Sequence, residues 1–229
     1  MTTDLLLRPF KAGPGHKFSE KECADYETAI GTFKSLAGTD YLEGTKLVER
    51  IYGFVDDLCE EHEINDQTYC HVGCSHCCYQ LVCCTTPEMQ IIVRHVDKLP
   101  RQKKRQIKKQ AMNKARKFYK RYKGQIEPGK VWQTVNNPLT RAHRGVPCIY
   151  LDSFRHRCLI YPARPINCRT ARTATQCGYN RHPKTVKFYF DQIAVDIITK
   201  EEKKLRGTMY VVPLVAWPLT PEFFGLEHE

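Results

Sequence analysis

Four cysteines within nine residues, Cys70-His-Val-Gly-Cys74-Ser-His-Cys77-Cys78, constrain this chain more than any other stretch. A second group follows about seventy residues later: Cys148, Cys158, Cys168 and Cys177. Thiolates are soft ligands, and four of them complete a tetrahedral zinc site or hold the irons of an iron–sulfur cluster. The Cys74-x-x-Cys77 spacing lets one turn aim two sulfurs at one ion, and the distant group can then close the shell. Buried core thiols or disulfides are the plainer alternative. Core cysteines are common but do not bunch in this way, and adjacent Cys77 and Cys78 make poor disulfide partners. The pattern therefore predicts a metalloprotein.

The chain has 229 residues and 41% hydrophobic content, enough for one domain with helical additions and a core of its own. The expected fold class is α+β and mostly helical: a small cysteine-rich metal-binding core with a short β-hairpin and flanking helices. Its expected segments are an N-terminal helical extension (1–66), a cysteine-cluster domain with an inserted basic helix (67–182), and a C-terminal helix with an extended tail (183–229). The opening MTTDLLLRPFKAGPG is too short in apolar residues for a secretory signal, and no run approaches a membrane span. Twelve cysteines without an export signal predict a reducing, cytoplasmic location, where thiols more often bind metal than pair as disulfides.

The net charge of +11 is concentrated in one place. Residues 101–123 carry twelve Lys and Arg and no acid, so the rest of the chain sums to −1. This stretch reads as a helix ended by Gly124, with Ile107, Ala111, Ala115, Phe118 and Tyr122 as a narrow apolar stripe. Lys103, Lys104, Arg105, Lys108, Lys109, Arg116, Lys117, Lys120 and Arg121 occupy the other faces. With no acid inside the helix these charges repel, and an anionic partner would relieve them. Nucleic acid is the first expectation, with an acidic protein or anionic surface as the other polyanions. A simple solvated helix face is the bland alternative.

Along the rest of the chain, residues 1–18 read as an irregular arm. A first helix is expected over 19–36, with Ser19 as N-cap and Gly38 as its stop. A second is expected over about 41–63, capped by Thr39 or Asp40, with Leu47, Ile51, Val55 and Leu58 as its stripe. Cys23 and Cys59 in these helices read as core thiols. Residues 79–84 look strand-like, and Cys83 and Cys84 there are ambiguous, because a strand faces neighbours in opposite directions. Thr85 or Thr86 with Pro87 and Glu88 starts a helix that Pro100 stops. Residues 148–151 and 158–161 form a hairpin across 152–157, and Pro165 opens a helical turn carrying Cys168. Trp132 is expected to anchor the loop-rich 124–147 stretch. An amphipathic helix over about 185–205 precedes an extended, apolar 210–217 tail.

The run Cys158-Leu-Ile-Tyr161-Pro-Ala-Arg164-Pro165-Ile-Asn-Cys168-Arg169, with Cys70…Cys74-Ser-His-Cys77-Cys78 and Pro147-Cys148, resembles the YkgJ-type cysteine-cluster family. Members of that family are described as zinc- or iron-chelating domains. Its pattern is a C-x-x-C-C knot, a later Pro-Cys, then C-x-I-Y-x-x-R-P-x-x-C-R and a last cysteine. Those places are held here by Cys74, Cys77, Cys78, Cys148, Cys158, Cys168 and Cys177, with Cys70 as the eighth. The resemblance covers residues 70–180. Ser75 stands where the family often has Gly, and the basic helix and N-terminal helices look like additions. The resemblance implies a metal or iron–sulfur site and says little about reaction. A flagellin lysine-methylase branch looks similar in its cysteine cluster, which keeps a modification enzyme in play.

Eight thiolates could hold two zinc ions, one [4Fe–4S] cluster with spare ligands, or one of each. The second group lacks paired Cys-x2-4-Cys elbows, and its wide gaps favour an iron–sulfur cluster over zinc. Cys70-x3-Cys74-x2-Cys77 also has radical-SAM spacing, but the alternating strand–helix pattern of a barrel does not follow. Arg164 and Arg169 can stabilise excess thiolate charge, with His76 and Tyr161 as further supporting groups. No dinucleotide fingerprint, P-loop, H-E-x-x-H or G-x-S-x-G motif occurs. The expected function is a cysteine-cluster metalloprotein whose basic helix engages nucleic acid or another polyanion. The alternative is a metal- or iron–sulfur-dependent enzyme that modifies a macromolecule.

Overall fold

The computed structural model describes residues 4–8, 10, 17–61, 75–122, 145–173, 185–206 and 211–215. Among these the protein is mostly helical, with three two-stranded antiparallel pairs. The chain divides into two compact units, residues 1–71 with 169–201 and residues 72–168 with 202–229.

In the first unit, α1 (Glu20–Ala37) begins where Ser19 and Glu22 form a reciprocal capping box. It ends at Gly38, whose φ of 61° is the left-handed conformation that glycine adopts without a Cβ clash. Helix α2 (Gly44–Glu61) starts later than a Thr39 or Asp40 cap would put it. Leu42 donates back to the Thr39 carbonyl, and Gly44 sits at φ 55°, so a turn separates the two helices. The predicted stripe Leu47, Ile51, Val55 and Leu58 is buried, and Phe33 of α1 meets Phe54 of α2 edge-on at 4.9 Å. Arg50 donates to the Ala37 carbonyl at 2.6 Å, satisfying an orphan acceptor at the end of α1.

Cys59 is buried as expected, but Cys23 is exposed. The buried stripe of α1 runs through Ala29, Phe33 and Ala37, and a four-residue step back from it misses position 23. The N-terminal arm is irregular yet held: Phe10 donates to the Lys187 carbonyl, and Tyr189 and Phe190 donate to Arg8 and Leu6. The Phe10 ring packs among Phe18, Tyr26 and Tyr189.

The last long helix, α6 (Tyr189–Arg206), starts four residues later than its periodicity predicts. Thr185–Val186 forms strand β5, paired with β4 (Arg172–Thr173), and the Asp191 carboxylate accepts the Phe188 N–H at the helix start.

In the second unit the 79–84 stretch is only partly a strand. Residues His76–Tyr79 form a 3₁₀ turn, and β1 is Cys83–Thr85, paired with β6 (Val211–Pro213). Helix α3 (Thr86–Asp97) carries Pro87 in its first turn and Glu88 as its capping acid. Pro100 ends that segment, and α4 (Arg101–Tyr122) follows. Ile107, Ala111, Ala115 and Phe118 form its buried stripe as predicted. The hairpin is shorter than expected: β2 (Leu151–Asp152) pairs with β3 (Arg157–Cys158), with Leu151 opposite Cys158. A 3₁₀ turn (Tyr161–Ala163) then leads to the short helix α5 (Ile166–Arg169), which carries Cys168.

A candidate thiol-rich metal centre

Five of the eight predicted ligands lie among the described residues, all in the second unit. Cys77 and Cys78 sit on the 3₁₀ turn, where Cys78 donates to the Ser75 carbonyl and Gln80 to the Cys77 carbonyl. The Cys148 segment runs beside that turn. Cys148 donates to the Cys78 carbonyl at 2.6 Å, and Gly145 donates to the Tyr79 carbonyl at 3.1 Å. Strand pairing brings Cys158 beside Leu151, three residues on from Cys148. Cys168 is placed by its own turn, donating to the Pro165 carbonyl at 2.8 Å.

Two hydrogen bonds to residues far away in sequence fix that turn. Glu88 Oε1 accepts the Ile166 N–H at 2.8 Å, and the Asn167 side-chain amide donates to the Cys83 carbonyl at 3.2 Å. Helix α4 supports the other arm. Gln110 donates to the carbonyls of Ile149 and Leu151, and the Lys114 ammonium donates to the Cys148 carbonyl at 2.7 Å.

The five half-buried thiols act on one another electrically. Cys78 donates its S–H to Cys77, so Cys77 loses its proton more easily while Cys78 holds its own more tightly. Burial pushes Cys148 up to about 11, and the charges of Cys158 and Cys77 add to that. Burial also raises Cys158 and Cys168. Cys77 adds to both shifts, and Cys148 and Cys158 add further to that of Cys168. Arg164 opposes the rise, favouring the thiolate at Cys77, Cys158 and Cys168. Lys114 is itself lowered by burial, and Cys148 and Cys78 partly restore it. Thiols that repel one another's charge beside a guanidinium and an ammonium are the donor chemistry a thiophilic ion favours. The geometry is less complete. Among the described residues no three His, Cys, Asp or Glu side chains stand close enough together to hold a metal ion.

Cys70, Cys74 and Cys177 lie outside the described residues, as does Trp132. Cys83 and Cys84 are both buried in β1, and Cys84 acts electrically on the buried Tyr150, which also feels Cys148 and Cys158. The expected supporting groups separate. Arg164 lies over the Tyr161 ring at 3.8 Å. Arg169 turns to the first unit's helix α2, stacked on Tyr52 at 4.0 Å and paired with Asp56. His76 is exposed on the turn.

All nine predicted polyanion-binding residues lie on α4, and all but the half-buried Lys104 are exposed. The missing acid comes from α3. Asp97 accepts from Lys108 at 2.9 Å and lies 3.7 Å from Lys104, and these lysines hold its carboxyl below the usual range. Sequence reasoning missed Glu88, Asn167, Gln110 and Lys114 as supports. Gln110 and Lys114 did carry a signal, since they border the apolar stripe of α4 at a four-residue spacing.

No protein-family model, curated protein or solved structure matches the chain.

Proposed function

We propose that the protein is a cysteine-cluster metalloprotein of the YkgJ type whose basic helix α4 engages nucleic acid or another polyanion. Cys77, Cys78, Cys148, Cys158 and Cys168, with Cys70, Cys74 and Cys177, would hold an iron–sulfur cluster, or zinc in its place. The observation that carries this reading is that the Cys148 N–H bonds to the Cys78 carbonyl while strand pairing sets Cys158 opposite Leu151, so cysteines from separate segments share one region. Burial keeps these thiols neutral when no ion is bound, and a thiophilic cation would displace their protons and stabilise the thiolates. When bound, such a centre supplies structural cross-linking or electron transfer. Arg164 and Lys114 temper its excess negative charge, and Glu88 and Asn167 hold the turn that presents Cys168. For α4 the support is a 22-residue helix whose charged faces are basic while its apolar stripe is buried.

Anaerobic purification followed by an absorption spectrum and elemental analysis tests the centre. Iron with acid-labile sulfide and visible absorption identifies a cluster, and a colourless zinc protein identifies the other occupant. A metal-free protein that folds fully defeats the reading. For α4, nucleic-acid affinity should fall steeply with salt. Replacing Lys109, Lys117 and Arg121 by Glu should abolish binding; unchanged binding defeats the polyanion reading.

A further inference from the structure

The tip of the β2–β3 hairpin, Asp152-Ser-Phe-Arg-His-Arg157, is an unusual place for an apolar ring. Phe154 is 91% exposed there. The turn is preset by its own hydrogen bonds: the Asp152 carboxylate accepts the N–H groups of Phe154 and Arg155, each at 3.1 Å. His156 takes a φ of 48° to bring the chain back, and Arg157 returns to within 4.0 Å of Asp152. The ring is therefore held out of the core by a fixed turn, with exposed Arg155, His156 and Arg157 around it.

The base of this hairpin stands beside one flank of α4. Gln110 donates to the carbonyls of Ile149 and Leu151, and Lys114 donates to that of Cys148, so this side of the helix faces the hairpin base. Three residues separate Leu151 from Phe154, a reach of about 10 Å at most. At the helical repeat, Lys103, Lys117 and Arg121 share the flank of Gln110 and Lys114, and all three are exposed. Lys104 and Lys108 face α3 and are engaged by Asp97.

We propose that the hairpin tip and this flank of α4 form one binding surface for single-stranded nucleic acid. Phe154 stacks on an unpaired base, while Lys103, Lys117, Arg121 and Arg155 take the phosphates. The inference rests on the reading of α4 as a polyanion-binding helix and adds the kind of polyanion. A duplex hides its base faces, and an acidic protein would need an apolar pocket set in register with its carboxylates to take the ring. A single strand offers both a base face and closely spaced phosphates.

The test uses fluorescence anisotropy with a labelled oligothymidylate of about 15 nucleotides, a duplex of equal length and anionic phosphatidylserine vesicles. The full-length protein should prefer the single strand to the duplex. Phe154→Ala should weaken single-strand binding about tenfold and leave the salt slope unchanged, because the ring carries no charge. Phe154→Trp should restore affinity. Lys117→Glu with Arg121→Glu should flatten the slope. Unchanged affinity in Phe154→Ala overturns the inference, and so does equal affinity for the duplex or binding to vesicles alone. If the α4 reversals abolish binding while Phe154→Ala is silent, the basic-helix reading stands and the hairpin surface falls. If neither oligonucleotide nor vesicle binds, both fall.

Discussion

The Glu88 carboxylate accepts the backbone N–H of Ile166 at 2.8 Å, joining the first turn of α3 to the short helix that carries Cys168. Its other oxygen accepts the N–H and hydroxyl of Thr85. Glu88 is 1% exposed, so no water replaces these contacts if it is removed. Glu88→Ala should cost about 2–4 kcal/mol in a denaturant titration, because it strands buried donors. Glu88→Gln should recover only part of that, since one of its two arms becomes an amide facing another N–H. If the proposed centre is present, metal content should fall in both variants. A stability loss below about 0.5 kcal/mol in Glu88→Ala would show that the contact is incidental.

Arg169 makes a separate prediction. Its side chain is 4% exposed, flat over Tyr52 and paired with Asp56, whose own side chain is 42% exposed. Water can reach the stranded carboxylate, so Arg169→Met should cost about 2 kcal/mol rather than the larger penalty of a fully buried pair. Arg169→Lys should recover little, because an ammonium neither stacks nor forks. If the proposed centre is present, its spectrum in the folded fraction should not change. In Arg164→Met the spectrum should shift instead, since Arg164 is the guanidinium that favours thiolates at Cys77, Cys158 and Cys168.

A third prediction concerns alkaline pH. Burial raises the Tyr26 hydroxyl, and its hydrogen bond to Asp196 raises it further. The folded state thus holds this proton more tightly than the unfolded chain does. The stabilisation is fully present below the unfolded tyrosine value of about 10 and is lost as pH rises above it. Tyr26→Phe should lower stability by about 1–2 kcal/mol near neutrality. Thermal melts from neutral to strongly alkaline pH should then show the wild-type advantage shrinking above about pH 10. A constant gap across that range would remove Tyr26 as the titrating group.

Much of this architecture could be read locally. Ser19 with Glu22, Gly38, Thr85 with Glu88, and Pro100 mark helix ends through contacts a few residues apart, and the structure places the boundaries there. The stripes of α2 and α4 follow from period alone. What escaped is non-local. Glu88 looks like an ordinary capping acid until Ile166, 78 residues away, folds onto its second oxygen. Arg169 belongs to a motif that ties it to cysteines, yet its partners Tyr52 and Asp56 lie on a helix more than 110 residues earlier. The absence of acids within α4 is real, but Asp97 supplies one from the preceding helix. Residues 185–186 satisfy a helical period and still pair as a strand, because Arg172–Thr173 offers an edge. The cysteine spacing points to a set of ligands without fixing its geometry. Among the described residues, Cys148 bonds to the Cys78 carbonyl and Cys158 pairs opposite Leu151, while Cys70, Cys74 and Cys177 lie outside them.

The sharpest test of the centre compares cysteines inside the interacting set with one outside it. Cys168 feels the charges of Cys77, Cys148 and Cys158, and Cys148 those of Cys158 and Cys77, whereas the charged neighbour of Cys83 is Glu88. Cys158→Ser and Cys168→Ser should lower metal stoichiometry after identical anaerobic purification. Cys83→Ala should keep the metal and lose only about 1 kcal/mol or so of packing, because it deletes one small buried sulfur. Chelation should follow the same division. A chelator that strips the ion removes its binding free energy from the folded state, so the melting temperature of wild type should fall by several degrees. Cys83→Ala should fall as far, and Cys168→Ser, already depleted, should barely respond. Equal metal content in all of these variants would mean that the two cysteine groups do not share an ion.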